Sequence, residues 1–211
     1  MKRLVIVGAG GTGEDAAEII RAINQRQSTY ELVGFLDDNP SKKGRTIGGV
    51  PVLGPLGSAS EHVDTWFVDC LGSPSSFRAR GALVDGLGVA QDRFETLIHP
   101  AAEIAETSSI GSGSIVYPFV YIGASAAVGR HVIILSQVTV NHHCRIGDYS
   151  ILTTGCAVSG HVTLGRSVYL GAGCTLRDGI EIGDETLVGM GSAVTRSVAA
   201  GQVVKGVPAA S

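Results

Sequence analysis

The feature that most restricts the fold of this chain is an aliphatic residue at every sixth position between residues 104 and 194. All sixteen positions of the series hold isoleucine, leucine or valine. They are Ile104, Ile110, Val116, Ile122, Val128, Ile134, Val140, Ile146, Leu152, Val158, Leu164, Leu170, Leu176, Ile182, Val188 and Val194. Since about half of the residues in an average chain are apolar, so long a run does not arise by chance. A period of six fits neither an α-helix nor the alternation of a simple strand.

A period of six predicts a short strand and a turn, repeated on each side of a triangular coil. Three hexads, or 18 residues, then make one turn, and residues 104–194 make about five turns. Residues 18 positions apart stack on successive turns at the usual strand spacing of roughly 4.8 Å. Each turn buries its aliphatic residues against the turns on either side, as in other repeat proteins. The stacking places Cys156 directly below Cys174, where we expect two small core residues.

The first hundred residues carry the pattern of a nucleotide-binding β-α-β unit instead. An apolar strand at residues 3–7 leads into the glycine-rich segment 8–13 and then into a helix-forming segment at residues 14–26. The spacing of Gly8, Gly10 and Gly13 fits the dinucleotide fingerprint, in which phosphates lie at a helix N-terminus. Glycines that serve only a tight turn would give the same pattern, so that alternative stays open.

Two further strands complete half of a Rossmann fold. The second, residues 31–36, ends at Asp37 and Asp38, in the region where an acidic residue often binds a ribose hydroxyl. The third, residues 66–71, is followed by Ser73 and by a helix predicted over residues 75–87. Only three β-α units fit before the repeats begin. This is enough for a mononucleotide or a nucleotide sugar, but not for a complete NAD-binding fold.

Charge and cysteine content exclude several kinds of partner. The formal net charge is −3 and no cluster of Lys or Arg stands out, so we expect no nucleic acid and no anionic membrane surface as partners. The apolar stretch near the start is too short for a signal peptide or a membrane span. We therefore expect a cytoplasmic protein without membrane insertion. The four cysteines show no C-x-x-C spacing, which favours reduced, buried thiols.

Four of the six histidines, His131, His142, His143 and His161, lie within the repeats. His142 and His143 fall on an exposed turn, where a largely neutral imidazole suits a general base. The 18-residue stacking places Gly160 over His142, with its backbone N–H near a developing oxyanion. Two alternatives stay open: zinc held by several of these histidines, as in trimeric β-helix carbonic anhydrases, and histidines that are simply on the surface.

The whole chain resembles the bacterial nucleotide-sugar acetyltransferases of the sialic acid O-acetyltransferase type. That family includes enzymes that acetylate the amino group of UDP- or GDP-linked 4-amino sugars. The resemblance rests on the hexads, the glycine-rich start, Val33-Gly34-Phe35-Leu36-Asp37-Asp38, Ile98-His99-Pro100-Ala101, Asn141-His142, Cys144-Arg145-Ile146-Gly147-Asp148 and Gly206-Val207-Pro208-Ala209.

The resemblance implies a fold and its division. The fold is an α/β N-terminal half-Rossmann domain followed by an all-β left-handed parallel β-helix of hexapeptide repeats. Residues 1–100 would form the nucleotide-sugar-binding domain, residues 101–198 the acyltransferase domain, and residues 199–211 a C-terminal tail. The family also implies a homotrimer with its active sites between neighbouring subunits.

The resemblance further implies an acetyl-CoA-dependent N-acetyltransferase without a metal, in which the sugar amine attacks the thioester directly. His142 matches the catalytic base of the family, with His143 beside it. Gly160, Ala172 and Met190 match positions that contact acetyl-CoA, the first through its backbone amide and the others along the pantetheine arm. The residues expected at the nucleotide sugar are Gly8, Gly10, Gly11, Thr12, Asp37, Asp38 and Ser73.

The chain departs from the family pattern at two positions. His143 stands where the family usually has an acidic residue hydrogen-bonded to the base, and Thr12 stands where it commonly has a histidine near the sugar. The alternative functions are O-acetylation of a sugar such as sialic acid, a zinc-dependent lyase or hydrolase, and a non-catalytic nucleotide-sugar sensor. The sequence does not choose the nucleotide or the sugar.

Overall fold

A computed structural model describes residues 1–210 of the chain. The N-terminal part holds five strands and two α-helices. Their bounds are β1 Lys2–Val7, α1 Gly11–Arg26, β2 Tyr30–Leu36, β3 Thr46–Ile47, β4 Val50–Gly54, β5 Trp66–Asp69 and α2 Arg80–Asp85. Short 3₁₀ helices occupy Pro40–Lys42, Leu56–Glu61, Phe77–Ala79 and Gln91–Arg93.

The five strands form one sheet in the order β3-β4-β2-β1-β5. All neighbours are parallel except β3, which pairs antiparallel with β4 at the edge. The first, second and fifth strands are those predicted from the sequence, and the sheet agrees with a half-Rossmann fold. The hairpin of β3 and β4 was not predicted, because Pro51 and two neighbouring glycines obscure its strand pattern. The helix predicted over residues 75–87 is shorter than expected.

The rest of the chain is the predicted coil, built of two-residue strands at six-residue intervals. The strands are β6 Leu97–Ile98, β7 Glu103–Ile104, β8 Ser109–Ile110, β9 Ile115–Val116, β10 Tyr121–Ile122, β11 Ala127–Val128, β12 Ile133–Ile134, β13 Thr139–Val140, β14 Arg145–Ile146, β15 Ile151–Leu152, β16 Ala157–Val158, β17 Thr163–Leu164, β18 Tyr169–Leu170, β19 Thr175–Leu176, β20 Glu181–Ile182, β21 Leu187–Val188 and β22 Ala193–Val194. Every strand from β7 to β22 ends on a residue of the period-six series.

Three parallel sheets make the three faces of the coil, and partners in each sheet are 18 residues apart, as in the pair Thr139↔Ala157. The period-six residues are buried from Val116 onward, and only the first two, at the end of the coil, are half-buried. Eight of the nine small residues expected inside are buried as well, Ser108 being the exception. The coil belongs to the left-handed β-helices, as the sequence predicted.

One residue in each turn of the coil has a positive φ, again at intervals of six. These residues are Gly113, Phe119, Ser125, His131, Gln137, His143, Tyr149, Gly155, His161, Ser167, Gly173, Gly179, Glu185 and Gly191. Left-handed backbone is costly for a residue with a Cβ, but a single such residue in a turn is tolerated when the neighbouring ladder holds it. The corners of the coil are therefore rigid and repeat with little variation, which fixes the backbone beneath any side chain they carry.

The N-terminal sheet and helices cover one face of the coil, the face made by β9, β12, β15 and β18. On this face the outward residues Ile115, Ile133 and Ile151 are buried, whereas the corresponding residues of the other two faces are exposed or half-buried. A Cβ on Gly72 would lie 2.7 Å from the Ile151 side chain, so the loop after β5 packs directly on the coil. The two parts of the chain thus share a continuous apolar contact.

A fully buried ionic cluster also joins the two parts. The Arg80 guanidinium donates to Asp69 Oδ2 at 2.6 Å and to the backbone carbonyls of Leu71 and His131. The His131 ring stacks on Tyr149 with centroids 5.1 Å apart. His131 is completely buried, so this histidine of the repeats is not on the surface. Because removal of either charge would leave its partner unpaired in the interior, the cluster couples the two parts tightly.

Beyond the repeats, β23 (Val203–Gly206) pairs with β21, and β24 (Ala209–Ala210) folds back antiparallel on β23. At the other end, β6 already pairs with β9 in the coil. The division into residues 1–100, 101–198 and 199–211 stays a prediction. Within residues 1–210, no helix has both the length and the apolar character needed to cross a membrane. The cytoplasmic location also stays a prediction.

Candidate active site

His142 and His143 occupy the exposed turn between β13 and β14, as the sequence predicted. His143 has a φ of 58°, the left-handed conformation of its place in the turn. Its N–H donates to the carbonyl of Ala124 at 2.9 Å, which ties the turn to the one below. The two imidazoles meet through their Nδ1 atoms, 3.1 Å apart. A ring nitrogen of one histidine therefore hydrogen-bonds to a ring nitrogen of the other.

Gly160 lies directly over His142, one turn of the coil further along. A Cβ on Gly160 would stand 2.6 Å from His142 Cε1 and 2.8 Å from Nε2. The imidazole therefore rests flat against a stretch of bare backbone that only glycine provides. No acceptor within residues 1–210 engages the Gly160 N–H, which leaves this donor free beside the Nε2 edge of the ring. Such a donor stabilises negative charge that develops on a neighbouring oxygen.

His161 completes a cluster of three imidazoles at this corner. Its ring stacks on that of His143, with centroids 4.8 Å apart and planes inclined by 11°. It meets His142 edge-on at 5.1 Å. All three side chains are exposed, and one ring nitrogen from each lies within 4.8 Å of the others. The 18-residue stacking placed His161 over His143 in advance, but it did not reveal that the three rings converge.

The residues expected along the pantetheine arm lie on a different corner of the coil. Ladder hydrogen bonds run from Gly173 N to Thr154 O and from Gly191 N to Ala172 O, which puts Ala172 and Met190 in one column with Ser136 and Thr154. The Met190 side chain is 81% exposed. Within one chain, the structure does not bring these two residues to the corner of His142.

The glycine-rich loop joins β1 to the N-terminus of α1. Gly10 is the N-cap residue of the helix and provides no side-chain cap, and a Cβ on Gly10 or Gly11 would meet nothing within 4 Å. A Cβ on Gly13, in contrast, would lie 2.0 Å from the carbonyl oxygen of Gly8. The loop and helix thus pack closely on the inner side and present open backbone on the outer side. Exposed amides at a helix N-terminus suit a phosphate group.

Asp37 follows β2 and is bound within the protein. Its carboxylate accepts hydrogen bonds from the Ala9 N–H at 2.8 Å, from the Asn39 N–H at 2.8 Å and from Lys42 Nζ at 2.8 Å. Burial raises the pKa of this carboxyl, but the hydrogen bonds to Lys42, Asn39 and Ala9 outweigh burial, so that the pKa lies below its ordinary value. Asp37 therefore holds the glycine-rich loop in place.

Asp38 and Ser73 have freer side chains. Asp38 is exposed, and its Oδ1 accepts a hydrogen bond from the Leu56 N–H at 2.8 Å, which leaves Oδ2 toward solvent. Ser73 Oγ lies 2.9 Å from Ser75 Oγ and 2.8 Å from Ser76 Oγ, after the end of β5. Of the two neighbouring aspartates, Asp38 thus has the carboxylate oxygen that a ligand can reach.

A cavity of about 240 Å³ opens between α1 and the coil. It is lined by Asp15, Glu18, Ile19, His99, Tyr117, Pro118, Leu135, Ser136 and Thr154. The Tyr117 hydroxyl lies 3.3 Å from the carbonyl oxygen of Thr12, so the cavity adjoins the glycine-rich loop. Burial and then the nearby carboxylates of Glu14 and Glu18 raise the pKa of Asp15.

These lining residues were not singled out from the sequence. A signal was present, because Pro118, Ser136 and Thr154 are 18 residues apart and so share one column of the coil. Asp15 and Glu18 also share one face of α1. What the sequence did not show is that the helix faces that column.

A half-Rossmann sheet that carries a left-handed β-helix with a histidine at its corner defines the hexapeptide-repeat acyltransferases that act on nucleotide-linked substrates. Comparison with known proteins supports this class. Residues 3–75 match the family model of the PglD N-terminal domain. The chain is 34% identical over 122 residues to UDP-N-acetylbacillosamine N-acetyltransferase of Bacillus subtilis (strain 168). That match covers 55% of this chain and spans about half (51%) of the length of the curated relative.

Two solved structures match nearly the whole chain. One is the acetyltransferase domain of PglB from Neisseria gonorrhoeae FA1090 in complex with acetyl coenzyme A, with 26% identity, a TM-score of 0.87 and coverage of 99% of this chain and 98% of that one. The other is PerB from Caulobacter crescentus in complex with CoA and GDP-perosamine, with 28% identity, a TM-score of 0.85 and coverage of 100% and 97%. The chain belongs to the bacterial nucleotide-sugar acetyltransferases, the family that its motifs resemble.

Proposed function

We propose that this protein transfers the acetyl group of acetyl-CoA to the amino group of a nucleotide-linked 4-amino sugar. The observation that carries the proposal is the contact of the His142 imidazole with the bare backbone of Gly160 at an exposed corner of the coil. Relatives whose names or ligands are UDP-N-acetylbacillosamine, acetyl coenzyme A and GDP-perosamine supply the two substrate classes. O-acetylation of a sugar hydroxyl is not favoured, because the named relatives are N-acetyltransferases.

The reaction needs a base and an oxyanion donor. The sugar amine attacks the thioester carbonyl, and His142 Nε2 takes the proton that the nitrogen releases. The Gly160 N–H faces the carbonyl oxygen as negative charge develops on it. Collapse of the tetrahedral intermediate forms the amide and expels the CoA thiolate, which is protonated on leaving. An amine is nucleophilic enough to need no covalent enzyme intermediate.

His143 takes the place of the acidic residue that the family usually has. The Nδ1 atoms of the two histidines are 3.1 Å apart, so one of them donates the single proton between them. When His142 Nδ1–H donates to the Nδ1 lone pair of His143, Nε2 of His142 keeps its own lone pair and is ready to accept a proton. A neutral His143 can therefore orient the base, but without a negative charge it does not stabilise the imidazolium that forms.

The nucleotide lies, in our proposal, at the N-terminal end of α1. The amides of Gly10, Gly11 and Thr12 face the diphosphate, because this helix end carries open backbone and partial positive charge. The free carboxylate oxygen of Asp38 and the hydroxyl of Ser73 flank the same edge of the sheet. Asp37 acts indirectly, by holding the loop. The cavity beside Tyr117 is then placed next to the sugar.

A homotrimer completes the site. Ala172 and Met190 lie on a different corner from His142, and Met190 is 81% exposed. Phe119, at 68%, is exposed on the same column as Met190. When a second chain packs its column against the His142 corner, these apolar side chains contact the pantetheine arm of acetyl-CoA instead of solvent. The assembly would thereby unite residues that one chain keeps apart.

The test is a substrate panel. The purified protein is incubated with acetyl-CoA and with UDP-, GDP- and dTDP-linked 4-amino sugars, each paired with the 4-hydroxy sugar of the same nucleotide. Release of CoA thiol and the mass of the product are measured. We expect one amino sugar to gain an acetyl group while its hydroxyl partner gains none. Acetylation of the hydroxyl sugars alone would replace the proposal by O-acetylation, and failure to bind acetyl-CoA would leave a nucleotide-sugar sensor.

A further inference from the structure

We propose that His142, His143 and His161 form a binding site for a divalent transition-metal ion, and that an ion bound there stops acetyl transfer. The three imidazoles are exposed at one corner of the coil, and a ring nitrogen from each lies within 4.8 Å of the others. Three imidazoles with an open side are the ligand set of many catalytic zinc sites.

The spacing of the nitrogens is close to what such an ion requires. His142 Nδ1 and His143 Nδ1 are 3.1 Å apart, against roughly 3.3 Å for two nitrogens at tetrahedral angles around zinc. The His143 and His161 rings are nearly parallel, at 11°, so rotation about the side-chain torsions turns one nitrogen of each toward a common point. Apart from the contact between His142 and His143, no hydrogen bond within residues 1–210 holds these rings back.

The backbone beneath the cluster is rigid. His143 and His161 both have the left-handed conformation of their turns, with φ of 58° and 59°. The His161 N–H donates to the carbonyl of His142 at 3.0 Å, which locks one turn on the other. The three Cα positions are thus held by the ladder of the coil, and an ion would need to reorient only side chains. A preformed backbone lowers the cost of binding.

The donor set selects the kind of metal. It consists of imidazoles alone, which suit Zn²⁺, Ni²⁺, Co²⁺ and Cu²⁺, whereas Mg²⁺ and Ca²⁺ prefer oxygen. The neighbouring thiol of Cys144 points inward, where its Sγ lies 3.0 Å from the carbonyl oxygen of Ser159, so it does not take part. The ion would be completed by water on the exposed side.

Occupation of the site removes the base. A metal ion bound to His142 takes the ring lone pair, or holds the ring away from Gly160, and the histidine then accepts no proton from the attacking amine. This inhibition rests on the proposed function, whereas the binding of the ion does not. The metal is an inhibitor in this proposal and not a cofactor.

The test combines a titration with an activity assay. Zn²⁺ is titrated into EDTA-treated protein by calorimetry, with Co²⁺ and its visible spectrum as a second probe. His161→Asn removes one ligand while keeping a residue that tolerates positive φ. Ser125→Asn is the matched control, because Ser125 has the same left-handed turn position one coil below His143. Turnover is measured for each protein with EDTA and with zinc.

We expect one Zn²⁺ per chain, at least tenfold weaker binding by His161→Asn, and unchanged binding by Ser125→Asn. In EDTA the two variants keep wild-type turnover within about twofold. Zinc stops the wild type, EDTA restores it, and His161→Asn resists. Absence of binding, or equal binding by His161→Asn, overturns the site. Zinc that binds without slowing turnover overturns the inhibition. A protein inactive even in EDTA contradicts the proposed function, and the titration still decides the metal site.

Discussion

The His142 imidazole lies on the backbone of Gly160, so closely that a Cβ at position 160 would stand 2.6 Å from its Cε1. The ring has no room to keep this place if Gly160 gains a side chain. In the proposed mechanism the contact does two things at once. It fixes the plane of the base, and it sets a free N–H beside the Nε2 atom that accepts the proton.

Gly160→Ala should therefore damage catalysis more than binding. We expect kcat to fall about 10- to 100-fold, because a small displacement of a catalytic group is enough for such a loss. The KM for the nucleotide sugar should stay within about threefold. Steady-state kinetics measure both. Gly147→Ala is the control, since its Cβ would crowd the carbonyl of Gly165 at 2.3 Å on another corner of the coil. Equal loss of kcat in both variants would point to general damage to the coil.

His143→Asp should restore the negative charge that the family usually has beside its base. A carboxylate near an imidazole favours the protonated ring and so raises the pKa of His142. Since the base must be neutral, the acidic limb of the kcat/KM profile should move to higher pH, by about half a unit to one unit. Plateau kcat should equal or exceed that of the wild type. His143→Ala should instead lower kcat. A pH profile that does not move in His143→Asp would show that the two side chains do not interact in the working enzyme.

Asp37→Asn should loosen the glycine-rich loop. The folded-state pKa of Asp37 lies below its ordinary value of 3.8, so the carboxylate contributes stability above about pH 4, and this is lost as the pH falls through the lower folded value. The variant should be about 1–2 kcal/mol less stable at pH 7 and nearly equal to wild type near pH 2. Urea unfolding at several pH values measures this. A difference that persists unchanged at pH 2 would mean that the charge is not its cause.

The same variant should also bind its nucleotide sugar less tightly, because Asp37 accepts the Ala9 N–H at 2.8 Å and so shapes the loop. We expect KM to rise several-fold with kcat nearly constant. Asp38→Asn, which keeps the loop intact, should raise KM through direct contact and leave unfolding unchanged. If Asp37→Asn lowered kcat but not KM, the loop would be acting in the chemical step.

The buried pair of Asp69 and Arg80 should be needed for the contact between the two parts of the chain. Asp69→Asn leaves the Arg80 charge unpaired in the interior and should cost about 3–5 kcal/mol in the free energy of unfolding. Arg3→Gln is the comparison, because its partner Glu31 is 3.8 Å away and both side chains are exposed. That change should cost less than about 1 kcal/mol. Equal effects in the two variants would contradict the importance assigned to the buried pair.

The fold could be predicted from the sequence to a large extent because its signal is repeated. Sixteen aliphatic residues at intervals of six defined the coil, and every strand from β7 to β22 ends on one of them. The same arithmetic placed Cys156 next to Cys174, whose Sγ atoms are 3.6 Å apart, and His142 next to Gly160. Positions 18 apart needed no knowledge of side-chain packing, since the ladder alone sets them.

What escaped prediction depends on contacts between distant elements. A second signal of period 18 was present in Ile115, Ile133 and Ile151, large apolar residues that point outward on one face only. They mark the face that the N-terminal sheet covers. The burial of His131 and the convergence of three imidazoles follow from that packing and from side-chain torsions, which no spacing reveals. The roles of the predicted site residues, and the trimer, stay predictions.

His142→Ala in a single-turnover experiment tests the central claim most directly. Enzyme in excess over a radiolabelled acetyl-CoA is mixed with the accepted amino sugar, and the rate of acetyl transfer is followed by rapid quench. We predict a rate 10²- to 10⁴-fold below wild type, with unchanged binding of both substrates. His62→Ala, outside the coil, should behave as wild type. A His142→Ala protein that transfers acetyl groups at the wild-type rate would contradict the assignment of His142 as the base.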